Sequence, residues 1–420
     1  MLKRILSIAS GVVLGLAVSV GAAHFATLWG LWPNRDLNRS TDTLRTVLQL
    51  VNEHYVDAKA AGLPGLTEAA LTGLVGTLDP HSEYMNAAAY KAFDEDLSSK
   101  FGGIGVQVEL LGGRVVVITP IAGTPGERAG IVHGDEIVSI DGQKLAKAAM
   151  EDVVTRLRGQ PGTAVMLGLF RPAEKKEVTL TLTRESIHVD SVRDPHLLRD
   201  GVGYVQLTQF SESTPAEFGR AVRQLQAQNM KALVIDLRNN PGGLLDAVVE
   251  VAGLFFKPGE LIVYTQGRDP GDREEFRAKP GGGPLALPLA VLINASSASA
   301  AEILAGALQD THRAAVVGER SFGKGSVQSI FPLGNHDGLR LTIARYYTPG
   351  GAVIHGHGIS PDVEVVATPD EDRSLALQRS RSDVTDPMVF QERFGVALVP
   401  DRQLDAATAI LRAALRLKAN

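Results

Sequence analysis

Ala290-Val291-Leu292-Ile293-Asn294-Ala295-Ser296-Ser297-Ala298-Ser299-Ala300-Ala301-Glu302-Ile303-Leu304-Ala305-Gly306-Ala307-Leu308 reads as a buried strand, a turn and the start of a helix. A short apolar run bounded by turn residues suits a strand covered on both faces. A serine at the strand-to-helix turn lies at a helix N-terminus, where free backbone N–H groups and the helix dipole stabilise an anion. Ser299-x-x-Glu302 is equally a capping box, the ordinary way to begin a helix. Taken alone, the segment does not separate the two readings.

Two further turns of the same kind shift the balance. Ser321-Phe322-Gly323-Lys324-Gly325-Ser326-Val327-Gln328 follows the apolar run Ala314–Val317, and its lysine stands between two glycines that let backbone pack close to its stem. Asp236-Leu237-Arg238-Asn239-Asn240-Pro241-Gly242-Gly243-Leu244-Leu245 follows the run Ala232–Leu237 and precedes an apolar helix. Consecutive glycines there offer N–H groups to a developing oxyanion. Apolar runs alternating with helices from 186 to about 365 predict central strands of an α/β layer. The stretch 266–284 has no periodicity and is expected to be a mobile loop.

The flanks have other textures. From 96 to 185 short β-branched runs alternate with glycine: Gly102-Gly103-Ile104-Gly105-Val106, Arg114–Thr119, and Gly134 to Gly142, closing on the hairpin dipeptide Asp141-Gly142. A helix over Ala146–Leu157 and strands at Ala164–Phe170 and Glu177–Leu182 complete that unit. Residues 41–57 and 66–78 show helical spacing of apolar positions, and Asp79-Pro80-His81-Ser82 ends the second helix. In the last fifty residues Leu404, Ala407, Ile410, Leu411, Ala414 and Leu415 line one helical face, which either packs on the body or pairs with a second chain. Met1-Leu2-Lys3-Arg4 followed by an uncharged run from Ile5 to Ala23 is the pattern of an export signal. Its length approaches the ~20 residues of a membrane span, and Ala23-His24-Phe25-Ala26 offers no clean cleavage site. An uncleaved anchor with its basic end inside is the expectation, with a cleaved signal as the alternative.

Composition narrows the function classes. At 420 residues the chain exceeds one ordinary core, so several domains are expected. It is 44% hydrophobic and 21% charged with net charge −5, which gives no support for nucleic-acid binding. Cysteine is absent, so disulfides, thiol nucleophiles and a lipidated cysteine are excluded. No metal or cofactor is expected, since His355-x-His357 in a glycine-rich loop lacks a third ligand.

Together the three turns resemble the carboxy-terminal processing (tail-specific) serine peptidases, family S41. The resemblance spans roughly residues 40–365. The family's serine motif falls on Asn294 to Glu302 with Ser299 as nucleophile, and Ala301 replaces the last serine of the run. Its base falls on Lys324, supported by Gln328, and its glycine turn on Asn239–Gly243. Asp79 to Tyr84 and Tyr346 to Gly351 also look like family segments, with His355 where relatives carry glutamine. The resemblance implies an α+β multidomain protein: a crotonase/ClpP-like mixed α/β catalytic core over 186–365, an inserted PDZ domain over 96–185, and flanking helical regions over 26–95 and 366–420 behind a signal or anchor over 1–25. In the PDZ domain Phe101, Gly102, Gly103, Ile104, Gly105 and Val106 would bind a peptide's terminal carboxylate.

The chemistry then follows. Serine needs a base to take its proton, and lysine is a base only when neutral, so its pKa must fall from ~10.4 towards ~7–8. Burial can supply that shift. Gln328 would orient the amine without the added charge of a carboxylate. The N–H of Ala300, with Gly242 or Gly243, would hold the oxyanion. The resemblance further implies periplasmic substrates with accessible C-termini and control by an adaptor or assembly. The Ile5–Ala23 segment predicts attachment to the inner membrane, and the apolar faces of 41–57 and 404–415 predict a homo-oligomer. Ser321-x-x-Lys324 matches a β-lactamase-type motif, but flanking glycines disfavour the helix that motif needs. A Ser-His-Asp protease finds no suitable histidine, and a catalytically silent PDZ scaffold is the rival from another class.

Overall fold

The computed structural model describes residues 35–98, 100–121, 123–145, 149–172, 174–281, 284–381 and 384–419. The basic start, the run Ile5–Ala23, residues 146–148 of the expected PDZ helix, and Gly282 and Gly283 lie outside them. The chain divides into two compact units, Met1–Tyr84 and Met85–Asn420.

In the first unit, α1 (Arg35–His54) and α2 (Leu63–Gly76) are the two amphipathic helices expected over 41–57 and 66–78. A proline in the first turn of α2 and Val75 buried near its end mark its limits. Asp79 Oδ1 accepts the N–H groups of His81 (2.7 Å) and Ser82 (2.8 Å), and Oδ2 accepts the Ser82 hydroxyl (2.7 Å). This Asx turn takes the chain out of the helix and towards β1 (Glu83–Met85). No helix among the described residues is long and apolar enough to cross a membrane.

The second unit begins with α3 (Ala87–Ser98) and β2 (Lys100–Gly103). A small antiparallel sheet follows, from β3 (Val106–Leu111), β4 (Arg114–Pro120), β5 (Glu136–Ile140), β6 (Gln143–Lys144), β7 (Ala164–Arg171) and β8 (Lys176–Thr183), with α4 (Pro125–Arg128) and α5 (Met150–Leu157). The order β3-β4-β5-β7-β8 buries alternate residues, Val165, Leu167 and Leu169 on β7 among them, against Val153 and Leu157 of α5. Asp141 and Gly142 both take positive φ (49° and 77°), as a tight β5–β6 hairpin requires. β2 pairs antiparallel with β9 (Glu185–His188), which brings the entry and exit of this domain together.

The larger part of the unit is a six-stranded sheet in the order β10-β11-β12-β15-β16-β19. Its strands are β10 (Val192–Leu197), β11 (Val202–Leu207), β12 (Ala232–Asp236), β15 (Leu289–Ile293), β16 (Ala314–Gly318) and β19 (Val363–Glu364). All adjacent pairs except β10–β11 are parallel. Alternation of side chains explains why the runs read as wholly apolar. Leu233, Ile235, Val291 and Ile293 face a layer containing Phe218, Val248, Ile303 and Leu304, from α6 (Thr214–Ala227), α7 (Leu245–Gly253) and α8 (Ala300–Asp310). Val234, Ala290 and Leu292 face the opposite side, where α11 (Arg402–Ala419) buries Ala407 and Leu411. Full burial of one such aliphatic side chain is worth about 1.5–3 kcal/mol. A second sheet carries β13 (Leu261–Gln266), β14 (Arg273–Arg277), β17 (Ser326–Pro332) and β18 (Gly338–Tyr347).

Three expectations change. The stretch 266–284 is not wholly loop, because β14 pairs with β13 from Gln266↔Arg273 to Leu261↔Arg277. Its sequence Arg-Glu-Glu-Phe-Arg is an exposed, charged strand, and the charges hide the two-residue period. The stripe from Leu404 to Leu415 is not a free surface for a second chain, since its own sheet covers it. The helix expected over Ala146–Leu157 runs over Met150–Leu157, with Ala149 extended as its N-cap. Beside these, α9 (Pro369–Ser380) and α10 (Pro387–Phe394) reach the β domain: Arg381 donates to Ile118 O (3.2 Å), and Phe394 packs edge-on against His133 at 4.9 Å.

Candidate active site

β12, β15 and β16 are neighbours in a parallel sheet, so the turns that leave their C-terminal ends converge. These are the three turns singled out above: Leu237–Gly243, Asn294–Ser299 and Glu319–Gly325. The crevice beyond the carboxyl ends of parallel strands is where open α/β sheets bind ligands.

Ser299 is the N-cap of α8 and holds φ 56°, ψ −116°. A non-glycine residue with such a φ costs on the order of 1–3 kcal/mol and needs surroundings that enforce it. Two contacts do so. Glycine at 242 leaves the room: a Cβ there would lie 2.6 Å from Ser299 Cβ and 2.8 Å from Ala300 N. Glu302 accepts the Ser299 N–H at 2.8 Å.

Glu302 does more than cap the helix. Its Oε2 also accepts the Lys324 N–H (2.8 Å), and its Oε1 accepts the Gly323 N–H (2.7 Å) and the Ser321 hydroxyl (2.5 Å). Ser321 Oγ accepts in turn from Ile359 N–H (2.7 Å). One fully buried carboxylate therefore ties the serine turn to the lysine turn. Burial pushes its carboxyl above the ordinary range, opposed by these four hydrogen bonds. The sequence shows Glu302 only as half of a capping box; its second partner is too distant in the chain to signal itself.

Lys324 is half-buried, and its pKa lies below the ordinary lysine value. Burial is the main cause, Arg340 adds to it, and Glu302 opposes. The glycines beside it are needed by packing: a Cβ on Gly325 would meet His355 N at 2.2 Å, and one on Gly323 would meet Gly358 N at 3.1 Å. Gln328 does not hydrogen-bond the lysine. Its amide nitrogen donates to Ser326 Oγ (2.8 Å) and Thr342 Oγ1 (3.3 Å), because a register shift between Val327 and Gln328 turns it along the β17–β18 ribbon.

The glycine turn is fastened from behind. Arg238, fully buried, pairs with Asp236 (2.6 Å) and Asp401 (2.8 Å) and donates to Gln403 Oε1 (3.0 Å). Burial alone would raise the Asp236 carboxyl, but Arg238 holds it down to about 2. Asn294 accepts the Asn239 N–H (2.9 Å) and donates to Asn239 Oδ1 (2.7 Å), joining this turn to the serine turn. The alternatives at the two glycines separate here. Gly242 N–H donates to Asn240 Oδ1 (2.8 Å), whereas the N–H groups of Gly243 and Ala300 donate to no group among the described residues.

A model of peptidase family S41 matches residues 201–365, and one of the PDZ domain matches residues 102–182. The chain is 38% identical to the carboxy-terminal-processing protease of Bartonella bacilliformis over 375 residues, 87% of this chain and 83% of the relative. It belongs to the carboxy-terminal processing proteases of peptidase family S41. It is 34% identical to the carboxy-terminal processing protease CtpB of Bacillus subtilis over 78% of this chain and 68% of that one. Among solved structures, the photosystem II D1 C-terminal processing protease aligns with 32% identity and a TM-score of 0.45, covering 76% of this chain and 91% of that one.

In this serine peptidase the PDZ loop Phe101–Val106 lines a cavity of about 180 Å³ through Phe101 and Gly103 to Val106, but not Gly102, together with Val108, Val154, Leu157 and Arg158. Its carbonyls turn inward: Gly102 O accepts from Gly159, Ile104 O from Gly126 and Gly105 O from Ile121. The N–H groups of Ile104 and Gly105 donate to no group among the described residues. The Arg158 guanidinium stands over the Phe101 ring, with Cζ 4.6 Å from the centroid. Among the described residues, His188, Asp190 and Glu217 are close enough to share a cation. Glu217 is already engaged by His188 Nε2 (2.9 Å) and accepts from both the N–H and the hydroxyl of Ser191.

Proposed function

We propose that this protease cleaves proteins selected by their C-terminal tails, with Ser299 as nucleophile and Lys324 as general base. The observation that carries the reading is the convergence of the serine and lysine turns on Glu302, with the lysine amine desolvated. Neutral Lys324 takes the Ser299 proton as Oγ attacks the scissile carbonyl. The tetrahedral oxyanion accepts hydrogen bonds from the N–H groups of Ala300 and Gly243. Lys324 returns the proton to the leaving amine, and water then hydrolyses the acyl-enzyme with the same base. Gln328 supports the lysine turn through Ser326 rather than by touching the amine.

The domain assignments of the sequence reading stand as part of this proposal: signal or anchor over 1–25, helical region over 26–95, PDZ domain over 96–185, crotonase/ClpP-like core over 186–365, and C-terminal helices over 366–420. The PDZ loop takes a substrate's terminal carboxylate on the N–H groups of Ile104 and Gly105. The basic-then-apolar N-terminus supports export to the periplasm and attachment to the inner membrane. The α1 face, with Leu44, Val47 and Leu50 about half exposed and nothing in the helix buried, supports self-association there.

Ser299→Ala and Lys324→Ala should each reduce cleavage of an unfolded substrate by about 10⁴-fold or more, and the double variant should be no worse. Substantial cleavage by Lys324→Ala at pH 7 would overturn the dyad.

A further inference from the structure

Arg238 stands just beyond the end of β12, at the start of the glycine turn, with its side chain fully buried. A guanidinium carries five N–H donors and stays charged at every working pH, so each buried donor needs an oxygen. Asp236 takes two of them: Nε donates to its Oδ1 (3.0 Å) and Nη2 to its Oδ2 (2.6 Å). The rest reach the far end of the chain. Nη1 donates to Asp401 Oδ1 (2.8 Å) and Gln403 Oε1 (3.0 Å), and Nη2 to Asp401 Oδ2 (2.8 Å). Both of these residues lie beyond 365, where the match to the family model ends.

The C-terminal segment is itself fixed. α11 buries Ala407 and Leu411 against Val234 of β12 and Ala290 and Leu292 of β15. Asp401 Oδ1 accepts the Leu404 N–H (3.0 Å) and so caps that helix, while Gln403 Nε2 donates to Val365 O (2.8 Å). The strands that carry the glycine and serine turns therefore also present the Asp401 carboxylate to Arg238. From Arg238 the turn leads towards the nucleophile. Asp236 Oδ1 accepts the Arg238 N–H as well (3.0 Å), so one carboxylate holds both its backbone and its side chain. Two residues on, Asn240 O accepts the N–H of Ala298 (2.9 Å), the neighbour of Ser299. The far end of the turn is held by backbone, Phe210 N–H to Gly242 O and Leu244 N–H to Phe210 O, each 2.8 Å. The near end depends on side chains, Arg238 and Asn239 among them.

We propose that Asp401, acting through Arg238, is a positioning residue for the oxyanion donors, so that the C-terminal segment is a working part of the active site. The proposal rests on the reading that the N–H groups of Ala300 and Gly243 hold the oxyanion. Such donors lower the barrier only when they are already in place. Removing the Asp401 charge leaves a buried guanidinium short of partners, and it must turn or draw in water to satisfy its donors. Either movement disturbs the start of the turn, and with it the hydrogen bond from Ala298 to Asn240.

The test is steady-state kinetics of the full chain on a short peptide, together with inhibition by a peptide boronate. The tetrahedral adduct of the boronate on Ser299 sets an oxygen where the oxyanion forms, so its affinity reports the donors directly. Asp401→Asn should lower kcat about ten- to thirtyfold, leave KM within about twofold, and weaken the boronate by the same factor as kcat. Asp401→Glu, which keeps the carboxylate, should recover part of both losses. Gln403→Met should show the same pattern at about two- to fivefold. An unchanged kcat in folded Asp401→Asn, a loss confined to KM, or a boronate bound as tightly as by the native chain would overturn the proposal. Should Asp401→Asn fail to fold, an unchanged kcat and boronate affinity in Gln403→Met decide against it. A boronate that binds Ser299→Ala as tightly as the native chain would instead remove the functional reading beneath it.

Discussion

Two glycine-rich turns in this chain keep backbone N–H groups that donate to no group among the described residues, and they are built differently. In the PDZ loop, Gly102 O, Ile104 O and Gly105 O are bound by nearby backbone, and the cavity walls are mostly apolar, from Val108, Val154 and Leu157, with Arg158 beside them. Around Ser299 the turns are fastened by buried charge: Glu302 joins two of them, and Arg238 with Asp236 and Asp401 anchors the third. The difference suits the tasks proposed for them. A carboxylate that merely binds is already charged and tolerates small adjustments of the loop. An oxyanion that exists only during reaction is stabilised by donors already in place, so any reorganisation is lost rate.

The sharpest way to break this comparison is a single methyl group in each turn. Gly242→Ala would place Cβ 2.6 Å from Ser299 Cβ at φ 100°, and kcat should fall about 10²–10³-fold, the loss expected when an oxyanion donor is misplaced. Gly103→Ala meets only the Phe101 ring edge at 3.2 Å, and tail affinity should change by less than about threefold. Steady-state kinetics with a tailed substrate measures both, and similar losses in the two variants would erase the distinction.

Glu302→Gln tests the charged hub. The new amide must direct a donor towards donors, so kcat should drop about 10²-fold and stability by about 2–4 kcal/mol. Activity together with the denaturation midpoint reads both, and a fully active, fully stable variant would show that the hub is not needed.

A third prediction concerns pH. Because the lysine pKa is lowered, the neutral, active amine appears below the ordinary lysine range. Activity should therefore climb about tenfold per unit on an acid limb and level off well before pH 10.5, where an unperturbed lysine would still be titrating. A limb continuing through pH 10 would contradict desolvation of the amine. A smaller effect than at the serine and lysine turns is expected from a charge on the PDZ side. Leu157→Asp should raise KM for tailed substrates about tenfold by placing a like charge beside the captured carboxylate. If kcat on a short untailed peptide also changes, the PDZ domain gates the site as well as tethering substrate.

Much of this molecule can be read from local patterns. The runs at 232, 289 and 314 lie on adjacent central strands because only residues covered on both faces are so uniformly apolar. Ser299, Lys324 and the 239–243 turn stand out because glycine, serine and lysine at strand ends have few other uses. β14 did not show itself, since one face is solvated and its alternation is masked by charge. The helical face from Leu404 to Leu415 declared that it would be covered but not by what, because an amphipathic stripe has the same period whether its partner is its own sheet or another chain.

The sequence by itself singled out the three turns that meet at one end of the parallel sheet and a PDZ-type loop beside them, since both depend on short segments whose spacing is local. Only the tertiary structure decided that Glu302 serves two turns, that Gly242 N–H is consumed by Asn240 while Gly243 N–H is not, and that Gln328 turns away from the amine. Those choices rest on hydrogen-bond directions between segments far apart in the chain. One-dimensional order carries no trace of such directions until neighbouring parallel strands bring the turns within 3 Å of a shared carboxylate.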